Sequence, residues 1–256
     1  MSAYLPTSLF VFSLLLLTTS CRNTAPIFEE TTTVELNYRA TFGEEPLVMG
    51  QWFPYDSAVQ VRFTNFDFYI SDLTLLQELS PNGLGAEIKE IALLDFSKIA
   101  TSPAALAGID SRIDNVPIDA YEGLRLGIGV PSDLNRTRPI EYAPDHPLRR
   151  DDLYQSEWES YIFAVINGTY DTNNDGVADG EFNYEIGTDN FYQKVAIMQG
   201  VDVVVDNTAP LNFTIDVYEL LGGNTQPIDV VGQPTDENLK LAERISENFE
   251  VALTLE

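Results

Sequence analysis

The stretch Val59-Gln-Val-Arg-Phe63-Thr-Asn-Phe66-Asp-Phe-Tyr-Ile70 decides the fold class. Val59, Val61 and Phe63 alternate with Gln60 and Arg62, the period of two that marks a half-buried strand. Phe66, Phe68 and Ile70 continue in the opposite parity, and a slip across Thr64–Asn65 is what a β-bulge or bend produces. The same alternation recurs outward in both directions. Val34, Leu36, Tyr38 and Ala40 share one face opposite Glu35, Asn37 and Arg39, and Leu124, Leu126, Ile128 and Val130 alternate with Arg125, Gly127 and Gly129. Phe182, Tyr184 and Ile186 alternate with Glu181, Asn183 and Glu185, which places Glu185 on a polar face. Trp158–Ile166 is apolar in both parities, as in a strand covered on both sides. Ile91–Phe96, Val195–Val205, Leu211–Leu221 and Phe249–Leu255 are further strand candidates. Only Asp236–Asn248 has a helical pattern, with Pro234-Thr235 ahead of it as a start and N-cap. The expectation is an all-β chain: a single antiparallel β-sandwich over 34–256 with one short C-terminal helix, a barrel being the alternative.

Residues 1–20 hold no charged side chain, and the apolar run Leu9–Leu17 leads through Thr18, Thr19 and Ser20 to the only cysteine, Cys21. Such a run is short for a membrane span and suits a signal peptide. Small residues ending at a Cys read as a lipidation signal, so residues 1–20 are expected to be removed and Cys21 to carry the acyl chains. An ordinary signal peptide, or an uncleaved anchor, is the competing reading. Residues 21–33, with Pro26 and three consecutive threonines, read as a lipidated tether. Lipidation would hold the protein on the cell envelope, at the outer membrane or a periplasmic face; without it the protein would be secreted.

The chain of 256 residues carries 40 Asp and Glu against 14 Lys and Arg, for a formal charge of −26. No basic surface is available to release counterions from phosphates, so nucleic acid is excluded as a partner. A single Cys and a single His exclude a disulfide framework, a Cys-rich zinc site and multi-His metal sites. No nucleophile–base set and no phosphate loop is present, so an enzyme is not expected.

The sharpest local motif is Asp171-Thr-Asn173-Asn-Asp175-Gly-Val177-Ala-Asp179-Gly-Glu181. Oxygen donors at loop positions one, three, five and nine, a backbone carbonyl at Val177 and a glycine at Gly176 follow the calcium-loop order. Phe182 stands where a bidentate Glu belongs, and Glu181 lies one place early. The expected ligands of a structural Ca²⁺ are therefore Asp171, Asn173, Asp175, Val177, Asp179 and Glu181; an ion-free Asn/Asp/Gly hairpin is the alternative. His146 lies in the turn-like Ala143-Pro-Asp-His-Pro147 and is expected to be exposed. Arg136, Arg138, Arg149 and Arg150 concentrate positive charge, and pairing with Glu141, Asp145, Asp151 and Asp152 is expected ahead of anion binding.

Val34-Glu-Leu-Asn-Tyr38 with Gly43-Glu-Glu-Pro-Leu47, Phe66-Asp-Phe-Tyr69-Ile-Ser71-Asp-Leu73, Leu93-Leu-Asp95, Tyr121–Val130, Asn135, Trp158–Phe163, Asn167-Gly168 and Phe182–Gly187 follow one another along the chain. Taken in that order, these segments resemble the MbnP-like domain family. The resemblance implies an extracytoplasmic copper-binding β-sandwich, often paired with a di-haem peroxidase-like partner. It also implies that Glu185 stands where the family's "HIG" motif has a histidine, that Tyr38 replaces a first-strand histidine, and that Trp158 matches a family tryptophan region. Tyr38, Glu185 and Trp158 are thus expected as vestigial copper-site positions, although carboxylate and phenol oxygens suit harder ions than copper. The expected function is a lipid-anchored binding or accessory protein, stabilised by calcium. The rivals are a working copper protein with a di-haem peroxidase-like partner, and a surface adhesin or glycan-binding module.

Overall fold

The computed structural model describes residues 30–205, 210–223, 225–235 and 239–256. Residues 1–20 and Cys21 lie outside these described residues. The strands in chain order are β1 (Thr31–Phe42), β2 (Glu45–Pro46), β3 (Trp52–Pro54), β4 (Gln60–Leu76), β5 (Gly85–Asp95), β6 (Ile109–Pro117), β7 (Asp119–Tyr121) and β8 (Gly123–Ile128). They continue as β9 (Tyr154–Gln155), β10 (Ser160–Asp171), β11 (Gly180–Gly187), β12 (Gln193–Ile197), β13 (Val201–Val203), β14 (Leu211–Asp216) and β15 (Leu253–Leu255). The α-helices are α1 (Ser102–Ala107), α2 (Ser132–Asn135), α3 (Val217–Leu220) and α4 (Leu239–Ala252).

β4 is the spine. Its 17 residues pair with β3, β5, β8 and β10, and the larger sheet runs β11-β10-β4-β8-β12. The expected bulge is present. Gly168 faces Phe63 while Asn167 faces Asn65, which leaves Thr64 without a register partner on β10. That extra residue keeps Val61, Phe63, Phe66 and Phe68 all in the main core despite the parity change. Each fully buried phenylalanine here is worth about 3–5 kcal/mol against alanine.

The second sheet runs β15-β14-β1-β2, with β6 also on β1. Val34, Leu36, Tyr38, Ala40 and Phe42 point inward from β1 as the alternation predicts. β1 pairs with β14 in parallel, so the sheets are not purely antiparallel. The physical reason is a long return: residues 43–210 intervene, enough for a crossover connection. The molecule is mostly β, with several sheets including a curled half-barrel.

Four local expectations are corrected. Leu211–Leu221 divides into β14 and α3, because Asp216 caps the helix by accepting from the Tyr218 N–H at 2.9 Å. The C-terminal helix runs to Ala252 and absorbs most of Phe249–Leu255, since Leu241, Ala242, Ile245 and Phe249 recur at helical spacing on one buried face. Val195–Val205 is interrupted into β12 and β13. β1 begins at Thr31, so Thr31–Thr33 belong to the strand and not to the tether.

Residues 131–159 leave the larger sheet after β8 and return over its outer face. There Tyr69, Val130, Leu148, Leu153, Tyr161, Phe163 and Val165 form a second, smaller apolar cluster. This excursion explains why β10 is apolar in both parities: one side meets the main core and the other meets the roof.

Candidate functional site

Trp158 is not in the strand but in the turn before β10, and it is 41% exposed. A residue expected from its neighbours to be core is therefore at the surface. Its ring lies against Gly187 at the end of β11: a Cβ there would sit 3.0 Å from Trp158 Cζ3 and 2.8 Å from the Tyr161 carbonyl oxygen. Only glycine admits this approach. Trp158 and Glu185 line one cavity of about 530 Å³ together with Gly187, Thr188, Phe191 and Leu239. Its wall is mostly apolar, with the Glu185 carboxylate as the one ionisable group among the described residues that line it.

Two residues beside the cavity adopt left-handed backbone conformations that are costly for them: Glu159 at φ 50° and the β-branched Thr188 at φ 72°. A buried polar network holds them. Tyr161 N–H donates to Asn135 Oδ1 at 2.8 Å, Asn135 Nδ2 donates to Ser160 Oγ at 3.0 Å and to Asp189 Oδ1 at 2.7 Å, and Thr188 N–H donates to Ser160 Oγ at 3.0 Å. Asn135, at the end of α2, thus ties the Trp158 turn to the turn after β11. Ser160, Thr188 and Asp189 were not singled out from sequence, because only the folded chain shows that two distant turns meet.

Tyr38 is not part of this site. It lies on β1 in the main core, stacked on Phe213 at 5.0 Å between ring centroids, and burial pushes its hydroxyl far above the ordinary phenol range. Of the three positions the resemblance implies, the structure brings together Trp158 and Glu185 and leaves Tyr38 elsewhere. His146 stacks on Tyr142 with centroids 4.1 Å apart, and its Nδ1 accepts the Leu148 N–H at 3.1 Å. It is absent from the cavity lining. The donors that the described residues bring to the cavity do not fit copper: a carboxylate is a hard ligand, an indole N–H offers no lone pair, and no imidazole or thiolate of the described residues joins them.

The Asp171–Glu181 loop joins β10 to β11. Asp171 is fully buried and accepts the N–H groups of Asn173, Asn174 and Gly176 at 2.9, 2.7 and 2.8 Å. Burial raises its carboxyl, but these N–H groups outweigh burial and hold it below the ordinary carboxylate range. Asn173 and Asp175 accept from Asp175 and Val177 N–H, and Asp179 accepts from Thr172. Gly176 has φ 80°, which the tight turn requires. Glu181 is exposed. Among the described residues no group of three or more His, Cys, Asp or Glu side chains converges so as to hold a metal ion.

Of the four clustered arginines, Arg150 makes the expected pair, donating from Nε and Nη2 to Asp152 at 2.8 and 2.7 Å. Arg136 and Arg149 donate instead to Ser132 Oγ and the Pro139 carbonyl.

Comparison with curated proteins gives no match. Among solved structures, MbnP from Methylosinus trichosporium is similar in fold, with a TM-score of 0.52 and 14% identity over 76% of this chain and 78% of that one. The MbnP family pattern matches residues 31–240. On that span the chain belongs to the MbnP family.

Proposed function

We propose that this MbnP-family chain is a lipid-anchored cell-envelope protein that works as a non-catalytic binding or accessory module, with the Trp158–Glu185 cavity as its binding site. The observation that carries the reading is the cavity itself. It gathers an exposed indole, one carboxylate and an apolar wall between turns pinned by Asn135. A concave apolar site with one placed charge is the usual form of a small-ligand or side-chain pocket. The chemistry it suits is a ligand with an apolar body and a cationic group, the indole and the carboxylate both attracting positive charge.

The lining of the cavity, with no imidazole or thiolate among its described residues, speaks against the copper role that the resemblance implies. The calcium role of the Asp171–Glu181 loop is supported by the order of oxygen-bearing residues and by Gly176, and binding an ion would require Asp175 and Asp179 to turn from loop amides toward it. Calcium would then raise the melting temperature by mass action, and Asp175→Ala would remove the loop's share of that gain. Identical melting of the D175A and unaltered chains in millimolar calcium would reject the loop. For the anchor, Cys21→Ala should shift the protein from the membrane to the soluble fraction; unchanged fractionation rejects lipidation.

A further inference from the structure

The outer face of the larger sheet carries two polar rows beneath the 131–159 excursion. Asp95, Asp67, Val165 and Glu185 are successive register partners across β5, β4, β10 and β11. Asn65, Asn167 and Asn183 form the next row. Directly paired residues point to the same side of a sheet, so these face away from the main core. Asn65, Asp67 and Asn167 line a cleft of about 410 Å³ whose far wall is Arg150, Asp152 and Leu153. This cleft is separate from the Trp158 cavity; Glu185 touches both.

Asp67 is only 3% exposed. Asn65 Nδ2 donates to Asp67 Oδ2 at 3.0 Å, which fixes the Asn65 amide with its oxygen turned away. With both acids ionised, Asn65 Oδ1, Asp67 Oδ1 and Asn167 Oδ1 are then buried with no hydrogen-bond donor; when protonated, Asp67 hydrogen-bonds to the neighbouring Asp95 carboxylate instead. Three unsatisfied acceptors around one cleft are unusual, because buried polar atoms are nearly always partnered. The neighbouring cations are already engaged. Arg150 directs Nε and Nη2 at Asp152, and Lys98 lies 3.6 Å from Asp95. Asp67, Asp152 and Glu185 line the cleft and Asp95 pairs beside Asp67, whereas among the described residues Arg150 is the one cation in the lining.

We propose that this cleft is a binding site for a hard divalent cation of the calcium type, held by Asp67 Oδ1 with the amide oxygens of Asn65 and Asn167. All three donors are oxygen, and a carboxylate with two amide carbonyls is a set that Ca²⁺ accepts in flexible geometry, water completing the shell. An anion is disfavoured by the carboxylates, and a soft metal by the absence of nitrogen and sulfur donors. The site is independent of the Asp171–Glu181 loop.

Equilibrium dialysis of the whole chain against calcium chloride, followed by metal analysis, tests this. Asp67→Asn keeps the size and shape of the side chain and should lower bound calcium by one equivalent, with an unchanged near-ultraviolet circular dichroism spectrum. The same loss should appear in an Asp175→Ala background, which removes the loop's contribution. A magnesium chloride arm with the same dependence on Asp67 also supports a hard-cation site. Equal metal content in D67N and unaltered chains, whether both bind or neither does, overturns the proposal and leaves the oxygens to water. If D175A changes nothing while D67N still loses one equivalent, the loop reading fails and this one stands.

Discussion

At the scale of single residues, Gly187 and Asp67 bear most of the argument. Gly187 lets the Trp158 ring lie on the backbone at the cavity mouth, so Gly187→Ala must push the ring outward. With Trp52 replaced by Phe, the remaining indole emission should shift to the red in G187A; an unchanged spectrum would show that the ring does not rest there. Asp67 is raised by burial and by the neighbouring Asp95 carboxylate, opposed by Asn65 and Arg150, and is pushed up to about 7. Its folded value lies above its unfolded one, so the fold favours the protonated form. This group's contribution is intact below about pH 4, is lost as pH rises toward 7, and is constant above that. In EDTA, Asp67→Asn should therefore melt close to the unaltered chain at pH 4 and several degrees higher at pH 8. A pH-independent difference would contradict the shift. Trp158 and Glu185 were singled out by the family resemblance, and the parity of β11 placed Glu185 on a polar face. Asp67 was not, because nothing in the string marks one acid among 40 as buried; only the roof over β4 does that.

At the scale of elements, the bulge at Thr64 and the tie at Asn135 set the geometry. The parity slip in β4 was readable because both halves carry aromatic residues, and the register with β10 places the extra residue where the slip predicts. Helix–strand boundaries near the C-terminus were not readable from alternation. In Leu211–Leu221 and Phe249–Leu255 the apolar residues suit either period, and the Asp216 cap and the packing of α4 decide. The exposure of Trp158 escaped for a related reason: apolar neighbours on both parities of β10 gave no sign that the strand starts at Ser160. Asn135→Ala would remove the acceptor of the Tyr161 N–H and the donor to Asp189. Leaving that buried N–H unpaired should cost about 1–3 kcal/mol. The effect should appear in chemical denaturation together with faster amide exchange at Tyr161 and Thr188. A loss below about 0.5 kcal/mol would mean that the tie is not structural.

At the scale of the whole molecule, mostly-β architecture and family were legible, whereas the parallel β1–β14 pairing was not, since strand direction leaves no mark on alternation. The charge of −26 acts on the compact state through self-repulsion. Raising ionic strength from about 0.01 M to about 0.15 M shortens the screening length from about 30 to about 8 Å, so the melting temperature should rise with sodium chloride. A flat or falling trend would show that the acids are locally compensated. The Trp158–Glu185 cavity, proposed above as the binding site of this MbnP-family chain, has no imidazole or thiolate among its described lining residues. Dialysis of the whole chain against Cu²⁺, a chelator wash and elemental analysis test it most directly. The account predicts less than one-tenth of an equivalent of copper remaining; about one equivalent, lost in Glu185→Ala, would contradict it.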